Sequence, residues 1–313
     1  MTVVARLLVL AALAKAMFGL VRWGFFGGDS SNVYQNYGHI DVRLTYFDIV
    51  DSLVCLLGVA IATSLLVVRR EQVQRRGWDV IYALTIIAGL LCITLSYRRT
   101  AWSGLALVGL FLLWRMRPGA RLLAIATGVP VMVGGLLYLA SQRLGTQSAS
   151  DGPLSFIFDL VSSRVGAESM RLLELRLAWE SFADSPVFGL GAWGRYAHSN
   201  LIAWQQSALS GSFLHSGVLH IALKTGFVGL LLLAGVVWAF VRQVQKLPPH
   251  KDAISTALTV AACSGLLFML PDMLLGTPIM QLRTTQMLAF CLGLPFMVSA
   301  AMTAATQQQI QQR

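Results

Sequence analysis

The residues of this 313-residue chain best suited to acid–base and anion chemistry gather in one stretch and at its edge. Between about 141 and 213 lie five arginines (143, 164, 171, 176 and 195), no lysine, six acidic residues and one histidine, and His215 follows directly. A neutral imidazole at His215 can take a proton from an attacking hydroxyl near pH 7, as general base catalysis requires. An interfacial histidine satisfied by water is the alternative. Upstream, Phe188-Gly-Leu-Gly191-Ala-Trp-Gly194 sets three glycines in seven residues just before Arg195. Glycines let backbone amides approach a ligand, so Gly189 and Gly191 are candidates for an anion nest, although a plain turn accounts for them equally well. Arginines with planar, bidentate donors nearby would favour the phosphate reading.

These residues need elements to hold them. Good helix formers run from Ser169, a candidate N-cap, to the stop at Asp184-Ser-Pro186, so a helix of about four turns is expected. Leu172, Leu175 and Trp179 share one side of it. Arg171 and Glu174, three apart, and Arg176 and Glu180, four apart, have the spacing of surface ion pairs, which contribute little. His220 lies five positions beyond His215, about 140° around a helix, so the two histidines are not expected to share a site. Lys224 falls about two turns into an apolar segment, where a charge must snorkel, line a cavity or meet a helix-end carbonyl.

Composition sets the class. The chain is 56% hydrophobic and only 12% charged, with a mean hydropathy of +0.67, well outside the range of soluble domains. Apolar blocks of about twenty residues alternate with arginine-rich breaks, the pattern of several membrane-spanning helices. A soluble enzyme, a disordered tail and a secreted disulfide scaffold are excluded. The net charge of +10 marks helix ends and not a basic face for nucleic acid, so no nucleic-acid partner is expected. Cys55, Cys92, Cys263 and Cys291 stand singly in apolar stretches, with neither zinc nor disulfide spacing. P-loop, HExxH and GxSxG motifs are absent, and no internal repeat stands out. No cofactor or metal is indicated.

The expected fold is all-α: a polytopic membrane protein of about eight transmembrane helices, near 3–22, 47–68, 79–96, 100–114, 120–140, 217–241, 253–270 and 284–303. It divides into an N-terminal bundle (1–140), a large external loop (141–216) and a C-terminal bundle (217–313). The first span carries Lys15 midway and is read as a retained helix, not a signal peptide. The breaks holding Arg69, Arg70, Arg75 and Arg76, then Arg115, Arg117 and Arg121, then Arg242, Lys246 and Lys251 fall on one side, against Arg43, Arg98, Arg99 and Arg283 on the other. The positive-inside rule therefore puts both termini in the cytoplasm and 141–213 outside. A second external loop carries Tyr34-Gln-Asn-Tyr37, an aromatic belt or a carbohydrate contact.

Three patterns make the chain resemble the O-antigen ligase and polymerase superfamily of bacterial membrane glycosyltransferases. Arg171 is followed fifteen residues on by Pro186, which opens a P-x-x-G-x-G motif with Gly189 and Gly191. His215 stands eleven residues before Gly226, the first glycine of a Gly-x-x-Gly completed by Gly229. Ser96-Tyr-Arg-Arg99-Thr-Ala-Trp102 opens an earlier span. The likeness covers about residues 94–235. Departures are Ser216 where the family usually has Asn, Lys224 near the usual place of an acid, and fewer spans than the family's ten to twelve.

The resemblance implies glycosyl transfer at the periplasmic face of the bacterial inner membrane, from an undecaprenyl-pyrophosphate-linked glycan to an acceptor hydroxyl, on lipid A-core for a ligase or on a growing glycan for a polymerase. His215 would be the catalytic base. Arg171 and Arg99, with Arg195 or Arg283, would hold the pyrophosphate as its charge develops, without a metal. Membrane lipids are the remaining partner. A flippase or transporter for a lipid-linked saccharide is the alternative of another class. Transporters tend towards repeats and interrupted spans with midplane charges, whereas these arginines cluster at helix ends and in the external loop.

Overall fold

Helix α2 (Ile49–Val68) is apolar all round, as a helix must be when neighbours enclose it. Among its fully buried residues are Leu53, Leu56, Ala60 and Ile61. The computed structural model describes residues 1–31, 43–68, 76–116, 165–202, 213–247 and 252–312, with 118, 119, 121, 122, 125, 126 and 134. Around α2 pack α1 (Thr2–Phe25), α3 (Arg76–Thr94) and the helix Ala253–Leu275. The buried residues of α1 are Ala5, Val9, Ala12, Ala16 and Gly19, alternately four and three apart, a small-residue seam of the kind that lets membrane helices approach closely. A Cβ on Gly58 would lie 2.2 Å from that of Ala12.

The described residues also form α4 (Arg99–Arg115), α5 (Val165–Asp184), α6 (Gly217–Lys246), α7 (Ala253–Leu275) and α8 (Leu282–Gln311). The described residues contain no strand, and the protein is an all-helical, polytopic membrane protein. Among the described residues, six helices are long and apolar enough to cross a bilayer: α1, α2, α3, α6, α7 and α8. The expected span at 100–114 appears as the 17-residue α4. Most of the one at 120–140 lies outside the described residues, as do Tyr34 to Tyr37, Arg143 and Arg164. The last helix runs past the expected end at 303, because its Ala- and Gln-rich continuation is made of good helix formers.

Side-chain and backbone bonds sort the helix ends. At one end Arg22 pairs with Asp29 at 2.9 Å and Lys15 with Asp51 at 2.7 Å. Thr45 donates to the Cys92 carbonyl at 2.7 Å, and Arg98 donates to the Phe47 carbonyl and faces Asp272 at 3.8 Å. The C-terminal ends of α1, α3 and α7 thus meet the N-terminal ends of α2 and α4. At the opposite end Thr2, Arg6, Leu65, Tyr82 and Asp252 surround a small cavity. Helix α1 begins and α8 ends at this second end.

Helix α6 is broken at Gly226, whose φ of 65° and ψ of −160° suit only glycine. The break releases carbonyls and amides that need partners, and the loop after α5 supplies both. Leu190 and Gly191 donate to the carbonyls of Leu223 and Lys224 at 2.8 and 3.1 Å, while Phe227 and Val228 donate to those of Pro186 and Val187 at 2.8 and 3.3 Å. The two backbones touch through glycine: a Cβ on Gly189 would lie 2.6 Å from the Leu223 oxygen, and one on Gly226 2.2 Å from that of Val187. Residues Phe227 to Lys246 continue for twenty positions, about 30 Å, enough to span the hydrocarbon core. The turns before the break join Leu177, Ala178, Phe182, Tyr196 and Leu214 in an apolar cluster of their own. The first part of α6 thus packs with α5 and the loop after it, and together they form a cap on the bundle.

Gly226→Ala should lower stability by roughly 2–4 kcal/mol through strain and backbone overlap. Gly191→Ala, also at positive φ (77°) but with open space around it, should cost only about 1 kcal/mol. Thermal unfolding in detergent measures both, and equal melting of the two variants would remove the joint as a structural determinant.

Candidate active site

Helix α5 buries Glu174, Leu177, Ala178, Ser181 and Phe182, the i, i+3, i+4, i+7, i+8 stripe of an amphipathic helix. Of the side shared by Leu172, Leu175 and Trp179, Leu172 (68%) and Trp179 (59%) are exposed, while Leu175 is half-buried against the cap's apolar cluster. The smaller Ala178 and Ser181 let the following loop approach, and the Ser181 hydroxyl accepts from the Ala197 amide at 2.9 Å. The helix also begins at Val165, one turn before the expected cap at Ser169.

Glu174 is the site residue that sequence reasoning missed. Its carboxylate is completely buried, and Oε2 lies 2.8 Å from His215 Nδ1 while accepting the His215 backbone N–H at 3.1 Å. The expected Arg171–Glu174 ion pair does not form among the described residues; Glu174 turns inward and Arg171 is exposed. The overlooked signal was periodicity, since Glu174 falls in register with Leu177, Ala178 and Ser181. Arg176 and Glu180 do form the expected surface pair, at 2.9 Å.

His215 is held from three sides. Ser216 caps α6, its hydroxyl accepting the Leu219 amide at 3.3 Å, so the serine that replaces the family's usual asparagine still serves as an N-cap. The Phe213 ring meets the imidazole edge-on at 4.8 Å. Glu174 fixes the tautomer, because an ionised carboxylate only accepts: the proton is assigned to Nδ1 and the basic lone pair to Nε2. A histidine oriented through one nitrogen by a buried carboxylate, with the other nitrogen basic, is the arrangement of a general base. The imidazole retains 19% exposure, while Glu174 has none. His220 is separate, on the following turn of α6, and Lys224 is buried and donates to the Gly194 carbonyl.

Arg171 lies one turn before Glu174 on α5. Arg99 is the first residue of α4 and Arg283 the second of α8, both at the end of the bundle where Gly217 packs against Met273 and Ile279. Arg195 is exposed directly after Gly194. The fold thus brings these helix starts and His215 to one end. Arg98, next to Arg99, is committed to structure through Phe47 and Asp272.

Gly189 and Gly191 have another task than the expected nest. Gly189 N–H is spent on the Ser185 carbonyl at 3.0 Å, Leu190 and Gly191 on α6, and Gly194 on the Gly191 carbonyl at 3.1 Å. Gly189 serves close backbone contact with α6, and Gly191 supplies a positive φ and an amide to the same joint, which positions the cap that carries Glu174.

Residues 83–234 match the family model described as O-antigen ligase. The matched stretch takes in α4, α5, the glycine joint and His215. No curated protein matches the chain.

Glu174→Ala should destabilise the protein by about 1–3 kcal/mol, because it leaves the His215 donors without their acceptor. Glu174→Gln, which keeps the shape and one acceptor, should cost less than half as much. Histidine 15N spectra should show the Nδ1–H tautomer at His215 in the parent and a tautomer mixture in Glu174→Ala.

Proposed function

We propose that this chain, whose residues 83–234 match the O-antigen ligase family model, is a member of the O-antigen ligase and polymerase superfamily that transfers a glycan from undecaprenyl pyrophosphate to an acceptor hydroxyl, as a ligase whose acceptor is lipid A-core. The observation that carries this reading is the buried Glu174 carboxylate on His215 Nδ1. The arginine-rich end of the bundle lies in the cytoplasm and the cap in the periplasm of a bacterial inner membrane.

His215 Nε2 accepts the proton of the acceptor hydroxyl as its oxygen attacks the anomeric carbon. The bond from that carbon to the pyrophosphate oxygen breaks, and the lipid pyrophosphate leaves with the electron pair. A single displacement of this kind inverts the configuration at the sugar. Negative charge grows on the leaving phosphate, and Arg171 and Arg99, with Arg195 and Arg283, stabilise it through charge-assisted hydrogen bonds. Glu174 holds the imidazole in the productive tautomer and stabilises its protonated form. Catalysis at the bundle end suits a donor whose lipid stays in the bilayer.

Purified protein reconstituted with a lipid-pyrophosphate-linked glycan, with and without lipid A-core, tests the reading by product mass. A His215-dependent product on core supports the ligase. Lengthened lipid-linked chains made without core would replace it with a polymerase, and donor crossing the bilayer without transfer would replace it with a transporter. His215→Ala should abolish transfer in a protein that still folds and inserts, and Glu174→Gln should slow it by about a hundredfold or more. Arg171→Lys should impair turnover strongly, because an ammonium cannot reproduce the guanidinium fork; unchanged turnover and donor affinity would remove Arg171 from the clamp.

A further inference from the structure

The cap carries an apolar surface that neither the dyad nor the joint uses. Trp193 is 94%, Phe188 72% and Val187 53% exposed, beside the outward Leu172 and Trp179 of α5. Large exposed apolar residues in such density mark an interaction surface. The surface is continuous with the lipid-facing side of α6. Trp179 packs on Phe182 at 5.4 Å, and Phe182 meets Phe227 edge-on at 5.3 Å. Phe227 and Val228 are hydrogen-bonded to Pro186 and Val187, and the exposed run continues down α6 through Leu231 and Leu232.

The joint also sets the depth. Because the twenty-residue spanning part of α6 starts at Phe227, its bonds to residues 186 and 187 hold Val187 and Phe188 at the upper edge of the hydrocarbon core. Tryptophan favours this level, where its ring meets acyl chains and its N–H meets headgroups. Arg171 flanks the apolar side of α5 and can reach lipid phosphates.

We propose that the cap is seated in the bilayer leaflet at the site end, with Trp179, Phe188 and Trp193 inserted at the headgroup–acyl boundary, so that the Leu172–Trp179 side of α5 rests on lipid while the exposed Arg176–Glu180 pair beside it faces water. The occupant is the bilayer itself, indicated by the unbroken passage from this surface into the spanning part of α6. The proposal depends on α6 crossing the membrane and is independent of the chemistry proposed for His215.

Single nitroxide labels at Phe188→Cys, Trp193→Cys and Glu180→Cys, in a background with Cys55, Cys92, Cys263 and Cys291 replaced, test it in phospholipid vesicles. Collisions with oxygen should exceed those with a water-soluble nickel chelate several-fold at 188 and 193, and the order should reverse at 180. Water-like accessibility at 188 and 193 overturns the proposal. Loss of access to both reagents with dipolar broadening between labels overturns it too, in favour of a second copy of the chain. With the native cysteines retained, lipids brominated near the headgroup should quench the parent's tryptophan fluorescence more than that of Trp193→Phe. Equal quenching of the two would contradict insertion at that residue.

Discussion

A helix interrupted where it enters a bilayer has to find partners for the backbone groups it releases, because lipid offers none. In this protein the interruption is Gly226, and the loop from Pro186 to Gly191 answers it with four backbone hydrogen bonds. Two glycines make the approach possible. The joint holds the cap against α6, and with it both halves of the site, since Glu174 comes from the helix before the loop and His215 from the residue before the α6 cap.

This explains why the two glycine motifs occur together. P-x-x-G-x-G and the downstream glycine are the two surfaces of one backbone contact, and their separation in sequence is the length of the cap between them. Lys224 reinforces the same contact by donating to the Gly194 carbonyl. Its burial thus has a partner in the loop, and the lysine serves where the family usually has an acid. The joint also divides α6 into turns that pack in the cap and a length suited to the membrane.

The bundle beneath has a different logic. Small residues on α1 and glycines against Ala12 and Phe268 bring backbones close, while ion pairs and carbonyl-directed arginines gather at the end where the helices support the cap. Arg98 shows how that rim is held together: it ties α4 to α2 and α7. The buried carboxylate of Asp272 belongs to this framework.

Much was legible in the sequence because the physics is one-dimensional. Hydropathy marked the six spans found among the described residues, and the spacing of Arg171, Pro186, Gly189, Gly191, His215 and Gly226 carried the family resemblance. The tertiary structure decided what depends on side-chain direction. Glu174 looked like a partner for Arg171 because three residues separate them, but which face of α5 is buried depends on what packs against it. The backbone amides of Gly189 and Gly191 suited an anion or a turn equally well until the break in α6 provided carbonyls. Local spacing records which groups can meet along one helix; only packing of a distant segment selects among them, and here that segment lies some forty residues away, at His215.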